Sequence, residues 1–372
     1  MTTDASHPPV RWAVLGTGAI ARAFAEDLRL LPDAALVAVG SRDLERGKAF
    51  LDAFGGRGKV HQRVEDLARD DDVDVVYVAT PHSRHKADCI ACLEGGRAVL
   101  CEKPFAVDAD EARAIAEAAR RAGKFCMEAM WMRFHPLITT VRDLVQSGAI
   151  GRVRLLTADF GYPTSYDPQS RFFNPALGGG ALLDRGVYPL SLAQLLLGSP
   201  SDVVGRAAIG TSGVDELETA LLTYPTGAQA VLTSSLRSRL RNEAQIIGTE
   251  GSIRIAEPFF APHHVSWTRH SEPVGPAPAA KSGPGGWKSR LRRSPLVRRV
   301  VNDVARPLLR TLKRDTKTFA EHVPGGGYQF EAAEVMRRLR AGDLESPIMT
   351  LDDTIAVLET VDALRKSWRT SG

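Results

Sequence analysis

The sequence predicts an α/β domain on a parallel sheet, followed by an α+β domain on a large, mainly antiparallel open sheet. Three observations carry this. From residue 11 to residue 125, strand-like apolar runs at 12–15, 36–40, 73–79, 98–101 and 125–127 alternate with helical stretches, which places helices over both faces of a parallel sheet. After Gly151 the pattern becomes alternating: 152–160, then 218–224 and 228–234 about a Pro-Thr-Gly turn, then 244–247 and 252–255 about Gly248-Thr249-Glu250-Gly251. These are hairpin signals. Apolar spacing at 136–146 and 180–197 predicts helices across one face of that second sheet, and 330–339 and 351–368 predict helices that pack on either domain. The boundary falls near residue 130, giving domains 1–130 and 131–372. With 372 residues and 44% hydrophobic content the chain is long enough for two ordinary cores.

Within the first domain, Gly16-Thr17-Gly18-Ala19-Ile20-Ala21 follows the strand at 12–15 and opens a helical pattern through Ala25, Leu28 and Leu31. Gly16 permits a tight strand-to-helix turn, Gly18 lets backbone approach a pyrophosphate, and Ala21 is small enough for close helix packing. The phosphates then lie at the helix N-terminus. In that context the turn reads as the dinucleotide cradle of a Rossmann domain, contributed by Gly16, Thr17, Gly18, Ala19 and Ile20.

Cofactor choice is set at the end of the second strand, where the chain reads Ser41-Arg42 before Asp43. A guanidinium beside a hydroxyl suits a 2′-phosphate, so NADP is favoured and NAD remains possible; a solvated loop arginine is the alternative for Arg42. Thr80-Pro81-His82 and Glu102-Lys103-Pro104 also follow strand ends and project into the same crevice. His82 is placed toward the nicotinamide. His85, in the first turn of the next helix, reaches either the cleft or nearby backbone.

Hydride transfer from an alcohol needs a group that takes the hydroxyl proton. Asp184 and Tyr188 lie four residues apart, on one face of the helix at 180–197. Tyr188 is the candidate for proton transfer. Lys103 is its electrostatic partner, expected to lower the phenol pKa, and Asp184 binds a substrate hydroxyl or tunes Lys103. Taken alone, Asp184 also reads as a surface carboxylate and Tyr188 as a core aromatic.

These stretches together resemble the Gfo/Idh/MocA oxidoreductase family. The resemblance rests on residues 16–21, on Thr80-Pro81-His82-Ser83-Arg84-His85, on residues 100–104, and on Gly178-Gly179-Gly180 running through Asp184-Arg185-Gly186-Val187-Tyr188-Pro189. Many members of that family carry histidine where this chain has Tyr188. The tyrosine, with residues 128–134 and 171–175, is similar to the dimeric dihydrodiol dehydrogenase and NADP-dependent D-xylose dehydrogenase branch. The resemblance implies a lysine-assisted acid/base site acting on a sugar, cyclic polyol or dihydrodiol, with cofactor contacts at residues 16–20, Ser41, Arg42, Thr80, Pro81, His82, His85, Glu102 and Lys103. It implies pairing into a homodimer or higher oligomer through the open sheet face. It also makes Trp131, Arg133 and Phe172 candidates for the pocket wall beside Asp184 and Tyr188, core packing being the other reading of all three. A dinucleotide-sensing protein without catalysis, or a relative reducing another carbonyl or an imine, are the rival functions; the retention of Lys103, Asp184 and Tyr188 argues against the first.

Composition excludes other classes. The residues before Val10 lack a charged cluster followed by an apolar run, and no apolar stretch approaches membrane-spanning length, so the expected location is cytoplasmic. The four cysteines (Cys89, Cys92, Cys101 and Cys126) fall in helix or strand positions and read as small core fillers. No histidine, His263 and His264 included, has the spaced partners of a metal site, so none is expected. The net charge is +4, and residues 281–317 alone hold twelve Lys or Arg against Asp303 and Asp315. This basic insertion, near 273–320, carries an apolar stripe of Leu296, Val297, Val300, Val301 and Val304. It reads as a packing helix, a weak membrane-surface contact or a phosphate-binding arm; nucleic acid is not an expected partner.

Overall fold

In the computed structural model, residues 8–270 and 316–369 are described. Strands β1 (Val10–Leu15), β2 (Ala34–Gly40), β3 (Lys59–His61), β4 (Val75–Val78), β5 (Ala98–Glu102) and β6 (Cys126–Ala129) form one sheet in the order β3-β2-β1-β4-β5-β6. Every pairing in it is parallel. Helices α1 (Ala19–Leu28), α2 (Leu44–Ala53), α3 (Val64–Ala68), α4 (His85–Glu94) and α5 (Ala109–Ala122) connect these strands. Their Val and Leu runs are continuous because both faces are covered: Val75, Val76, Tyr77 and Val78 have no exposed surface. The strand order reverses between β1 and β4, and a doubly wound sheet opens its ligand crevice at that point.

The second sheet has eight strands: β7 (Val153–Gly161), β8 (Asp202–Ile209), β9 (Asp215–Thr223), β10 (Gln229–Ser235), β11 (Ala244–Gly248), β12 (Gly251–Ile255), β13 (His264–Arg269) and β14 (Thr316–Ala320). Their order is β14-β13-β12-β11-β7-β10-β9-β8. Only β7 and β10 pair in parallel. Helices α6 (Pro136–Gln146), α7 (Val187–Leu197) and α9 (Leu351–Arg369) lie against this sheet, and α9 also packs on α5 of the first domain. Helix α8 (Tyr328–Ala341) packs on α1, where the Asp27 carboxylate accepts from the backbone amides of Gly326 and Tyr328, each at 2.8 Å. The C-terminal segment thus staples the two sheets together.

Four strands escape the sequence pattern: β3, β8, β13 and β14. β3, β8 and β14 stand at sheet edges, and β13 and β14 are mostly exposed or half-exposed, so solvent rather than a core sets their composition. The predicted helix at 180–197 is also not uniform. Its first part is a π-helical turn, Leu182–Gly186, that leads into α7, and such turns recur at functional sites. Residues 271–315 lie outside the described residues, and with them the predicted helical stripe and nearly all of the basic insertion.

Candidate active site

The cofactor end is made by backbone. Gly16 follows β1 with φ of 110°, and a Cβ there would lie 2.6 Å from the Ala79 carbonyl oxygen, so only glycine fits. Gly18 differs: a Cβ there would meet nothing within 4 Å. The protein does not require glycine at that point, but a pyrophosphate lying against the backbone does. Gly18 is also the N-cap of α1 and supplies no side-chain cap, leaving the first-turn amides available to an anion. Beyond β2, Arg42 is exposed, while the Asp43 carboxylate caps α2 by accepting from the Arg46 amide at 3.1 Å. The acid is thereby engaged, and the arginine is left facing solvent beside the half-buried Ser41. This cradle fits a dinucleotide with a 2′-phosphate.

The substrate end is made by side chains. Lys103 leaves the end of β5, and its Nζ donates to the Asp184 backbone oxygen at 2.8 Å and lies 3.6 Å from Asp184 Oδ1. The same ammonium sits 4.8 Å from the centre of the Tyr188 ring. Lys103, Asp184 and Tyr188 therefore meet, although 81 residues separate the first two. Burial alone would push the Asp184 carboxyl up, but Lys103 and Arg171 outweigh it and hold the group well below the usual carboxylate range.

The Tyr188 hydroxyl accepts from Trp131 Nε1 at 3.1 Å. The expected lowering of its pKa is overturned: burial, with Tyr328 and Glu102 adding negative field, raises it well above the ordinary phenol value. The Lys103 ammonium 4.8 Å from the ring centre is outweighed by this burial, so the phenol keeps its proton. Trp131, Tyr188, Phe160 and Phe260 form an aromatic wall, with Phe160 and Phe260 stacked at 4.5 Å and Trp131 edge-on to both Tyr188 and Phe260.

Three other expectations need correction. Arg133 is not a pocket wall: its side chain is fully buried and donates to Ser191 Oγ, to the Ile348 carbonyl and to Asp353. His85 is fully buried, with Nδ1 2.9 Å from the Pro104 oxygen and Nε2 2.9 Å from the Thr80 oxygen. It ties the two cleft loops together, with both ring nitrogens engaged by backbone oxygens. Glu102 is also buried: its carboxylate accepts from the Tyr77 hydroxyl and from the Lys103 amide, so it orients the lysine loop from below.

His82 lies at the cleft with Nδ1 3.2 Å from the Gly178 oxygen, and burial, His85 and Lys103 lower its pKa to about 3. The ring is neutral, and the carbonyl fixes the proton on Nδ1. Thr80 Oγ1 donates to Asp88 at 2.8 Å and Pro81 is exposed, so this loop presents backbone. Phe172 packs against Phe173, Ala181, Val214 and Leu236 and carries the Arg171 guanidinium over its ring at 4.0 Å; it supports Arg171.

Arg171 and Arg185 were not assigned roles from sequence. Arg171 Nη1 donates to Asp184 Oδ1 at 2.7 Å, and Arg185 Nε lies 3.5 Å from Asp184 Oδ2. Arg185 is otherwise sunk among the Tyr162 and Ser235 carbonyls and Thr164 Oγ1. Beneath the π-helical turn, Asp215 accepts from the Leu182 amide at 2.6 Å, and Glu218 accepts from Ser234 Oγ at 2.7 Å. Only the tertiary fold brings these groups together. The sequence signals are the Arg171-Phe172-Phe173 run, which carries the branch resemblance and Phe172, and the Asp184-Arg185-Gly186 stretch of the family resemblance; neither says what the two arginines face.

Comparison with known proteins agrees with this geometry. Residues 10–130 match the description "Oxidoreductase family, NAD-binding Rossmann fold", and residues 138–254 match the GFO/IDH/MocA C-terminal domain. The trans-1,2-dihydrobenzene-1,2-diol dehydrogenase of Mus musculus is 32% identical over 370 residues, covering 96% of each chain; that of Homo sapiens is 32% identical over 366 residues with the same coverage. Among solved structures, KijD10, a 3-ketoreductase from Actinomadura kijaniata in complex with NADP and TDP-benzene, superposes with a TM-score of 0.75 at 26% identity, covering 97% of this chain and 98% of that one. The aldose-aldose oxidoreductase of Caulobacter crescentus, at 23% identity and covering 98% of each chain, shares the fold with a TM-score of 0.78. Cradle, lysine-centred cleft and both sequence matches converge on one assignment: the chain belongs to the Gfo/Idh/MocA family of NAD(P)-dependent oxidoreductases.

Proposed function

We propose that the chain is an NADP-preferring dehydrogenase that interconverts a secondary or anomeric alcohol and its carbonyl on a sugar, cyclic polyol or dihydrodiol. The observation that carries this is the Lys103 ammonium held between Asp184 and the Tyr188 ring, at the carboxyl edge of the parallel sheet that also bears Gly16 and Gly18. Residues 1–130 hold the cofactor and residues 131–372 supply most of the substrate pocket. NADP, when bound against Gly16–Ile20 and Arg42, supplies or accepts the hydride. In the reductive direction Tyr188 gives its proton to the carbonyl oxygen, and Lys103 stabilises the negative charge that builds there. Asp184 holds the lysine in place, and Trp131 fixes the phenol oxygen from the other side. The dihydrodiol dehydrogenases and the 3-ketoreductase among the relatives support the substrate range.

We also propose a homodimer through the open face of the second sheet. Val204, Leu221 and Val231 lie in one cross-strand row and are 48%, 41% and 39% exposed. Ile209 and Leu217 extend this apolar surface, the kind that marks a protein contact. Four free buried thiols fit a reducing, cytoplasmic setting. Among the described residues no helix is long and apolar enough to cross a membrane.

The test is absorbance of reduced cofactor across aldoses, inositols and dihydrodiols with NADP and NAD. Turnover with NADP supports the reading. Tight NADPH binding with no turnover of any alcohol or carbonyl overturns it. Sedimentation of wild type and Leu221→Asp checks the dimer, which is excluded if both run as monomers.

A further inference from the structure

We infer that the substrate carries an oxyanion, a carboxylate or a phosphate, and that Arg171 is the residue that selects it. This deepens the reading above and rests on it. Three cations, Lys103, Arg171 and Arg185, surround the single carboxylate of Asp184. A neutral polyol needs acceptors as well as donors, and Asp184 is the obvious acceptor. Yet Arg171 Nη1 donates to Oδ1 at 2.7 Å, with Lys103 Nζ 3.6 Å from the same oxygen and Arg185 Nε 3.5 Å from Oδ2, so three cations already compensate this carboxylate.

What the substrate end mostly presents is donors. Lys103 uses one of its three on the Asp184 carbonyl. The Tyr188 hydroxyl already accepts from Trp131 and keeps its own proton to give. His82 is the exception: with its proton turned to the Gly178 carbonyl, its other ring nitrogen is an acceptor. Glu102 faces away, toward Tyr77 and the Lys103 amide.

Arg171 differs from the other two cations in its freedom. The Lys103 and Arg185 side chains are 12% and 7% exposed, whereas that of Arg171 is 48% exposed. Its guanidinium carbon lies 4.0 Å from the centre of the Phe172 ring, and its one hydrogen bond to Asp184 leaves further guanidinium N–H groups on a half-open face. A half-exposed planar fork, held at Asp184 and against Phe172, can grip a carboxylate or phosphate through two parallel bonds. The excess positive charge also draws such a substrate in.

The experiment uses the full chain loaded with NADP and matched probes: glucose, glucuronate and glucose 6-phosphate, with galactose and galacturonate as a second set. Calorimetric Kd values are read alongside turnover in the same samples. The expected result is that an anionic member binds about tenfold or more tightly than its neutral partner, with the carboxylate and phosphate arms showing which oxyanion is preferred. Arg171→Gln is expected to bring the anionic-to-neutral Kd ratio toward one, and Arg171→Lys to restore part of it. Neutral members binding as tightly as anionic ones, no measurable binding of any anionic member, or an unchanged ratio in Arg171→Gln overturns the inference. Anion preference without turnover sinks the dehydrogenase reading instead, and turnover without anion preference sinks only this one.

Discussion

The two ends of the cleft are built from different materials. At the cofactor end the contacts are backbone: a left-handed glycine, an uncapped helix start and an open space above Gly18. At the substrate end they are side chains from widely separated segments, with Lys103 and Arg171 on Asp184, Lys103 over the Tyr188 ring and Trp131 on the Tyr188 hydroxyl. A pyrophosphate is the same in every dinucleotide, so a fixed backbone cradle suffices. Substrates differ, and side chains can change without moving the sheet. The first end should therefore be sensitive to backbone geometry and the second to the chemistry of single groups.

The largest effect is expected at the substrate end. Lys103→Ala removes the ammonium that lies 4.8 Å from the Tyr188 ring and should lower turnover by about 10³-fold, within the range for acid–base and electrostatic groups. NADPH affinity, measured by fluorescence titration, should change by less than about threefold, since Nζ contacts Asp184 and not the cradle. A parallel loss of both would erase the distinction between the ends. Gly16→Ala is the mirror experiment. Its Cβ would press on the Ala79 oxygen at 2.6 Å in a backbone conformation that alanine resists. Cofactor affinity should fall by roughly 10²-fold while Lys103 and Tyr188 stay in place, and undiminished affinity would show that the turn is not the cradle. Arg42→Asp is milder. It should shift the ratio of NADP to NAD affinity by about 10- to 100-fold, the worth of one or two charge-assisted hydrogen bonds. An unmoved ratio places the phosphate contact elsewhere.

The same contrast explains what could be read from sequence. The cradle was legible because its residues are contiguous and glycine marks the turn by itself. Lys103 and Tyr188 were legible because each follows a recognisable local run. Arg171, Arg185, Phe160 and Phe260 were not, since nothing near them in sequence says that they converge on Asp184 or Trp131. Arg133 misled for a related reason: an arginine among aromatics looks the same whether it meets a ligand or, as here, Asp353 and Ser191 in the core. Composition reports burial, and only the fold reports what a buried cation faces.

The smallest expected effect concerns what lies under the substrate end. Asp215 braces the Leu182 amide at the start of the π-helical turn, and Glu218 lies beneath Gly186 of the same turn. Burial raises the Asp215 carboxyl to about 6 and the Glu218 carboxyl to about 8, from ordinary values of 3.8 and 4.5. A carboxyl whose folded pKa is raised adds stability that is fully present below its unfolded pKa and is lost as pH rises through the folded value. The loss should therefore begin near pH 4 and run to about pH 8, Asp215 first and Glu218 last. The thermal midpoint is expected to fall by several degrees between pH 5 and pH 9, about 2–4 °C for each kcal/mol lost. Glu218→Gln keeps the shape, cannot ionise, and should flatten the upper half of that decline. Because the titrating groups sit below Asp184 and Tyr188 and not below Gly16, turnover should weaken over this range before NADPH affinity does. A midpoint that holds or rises toward pH 9 means that these carboxyls ionise freely in the folded chain, and the substrate end is then no more dependent on buried chemistry than the cradle opposite it.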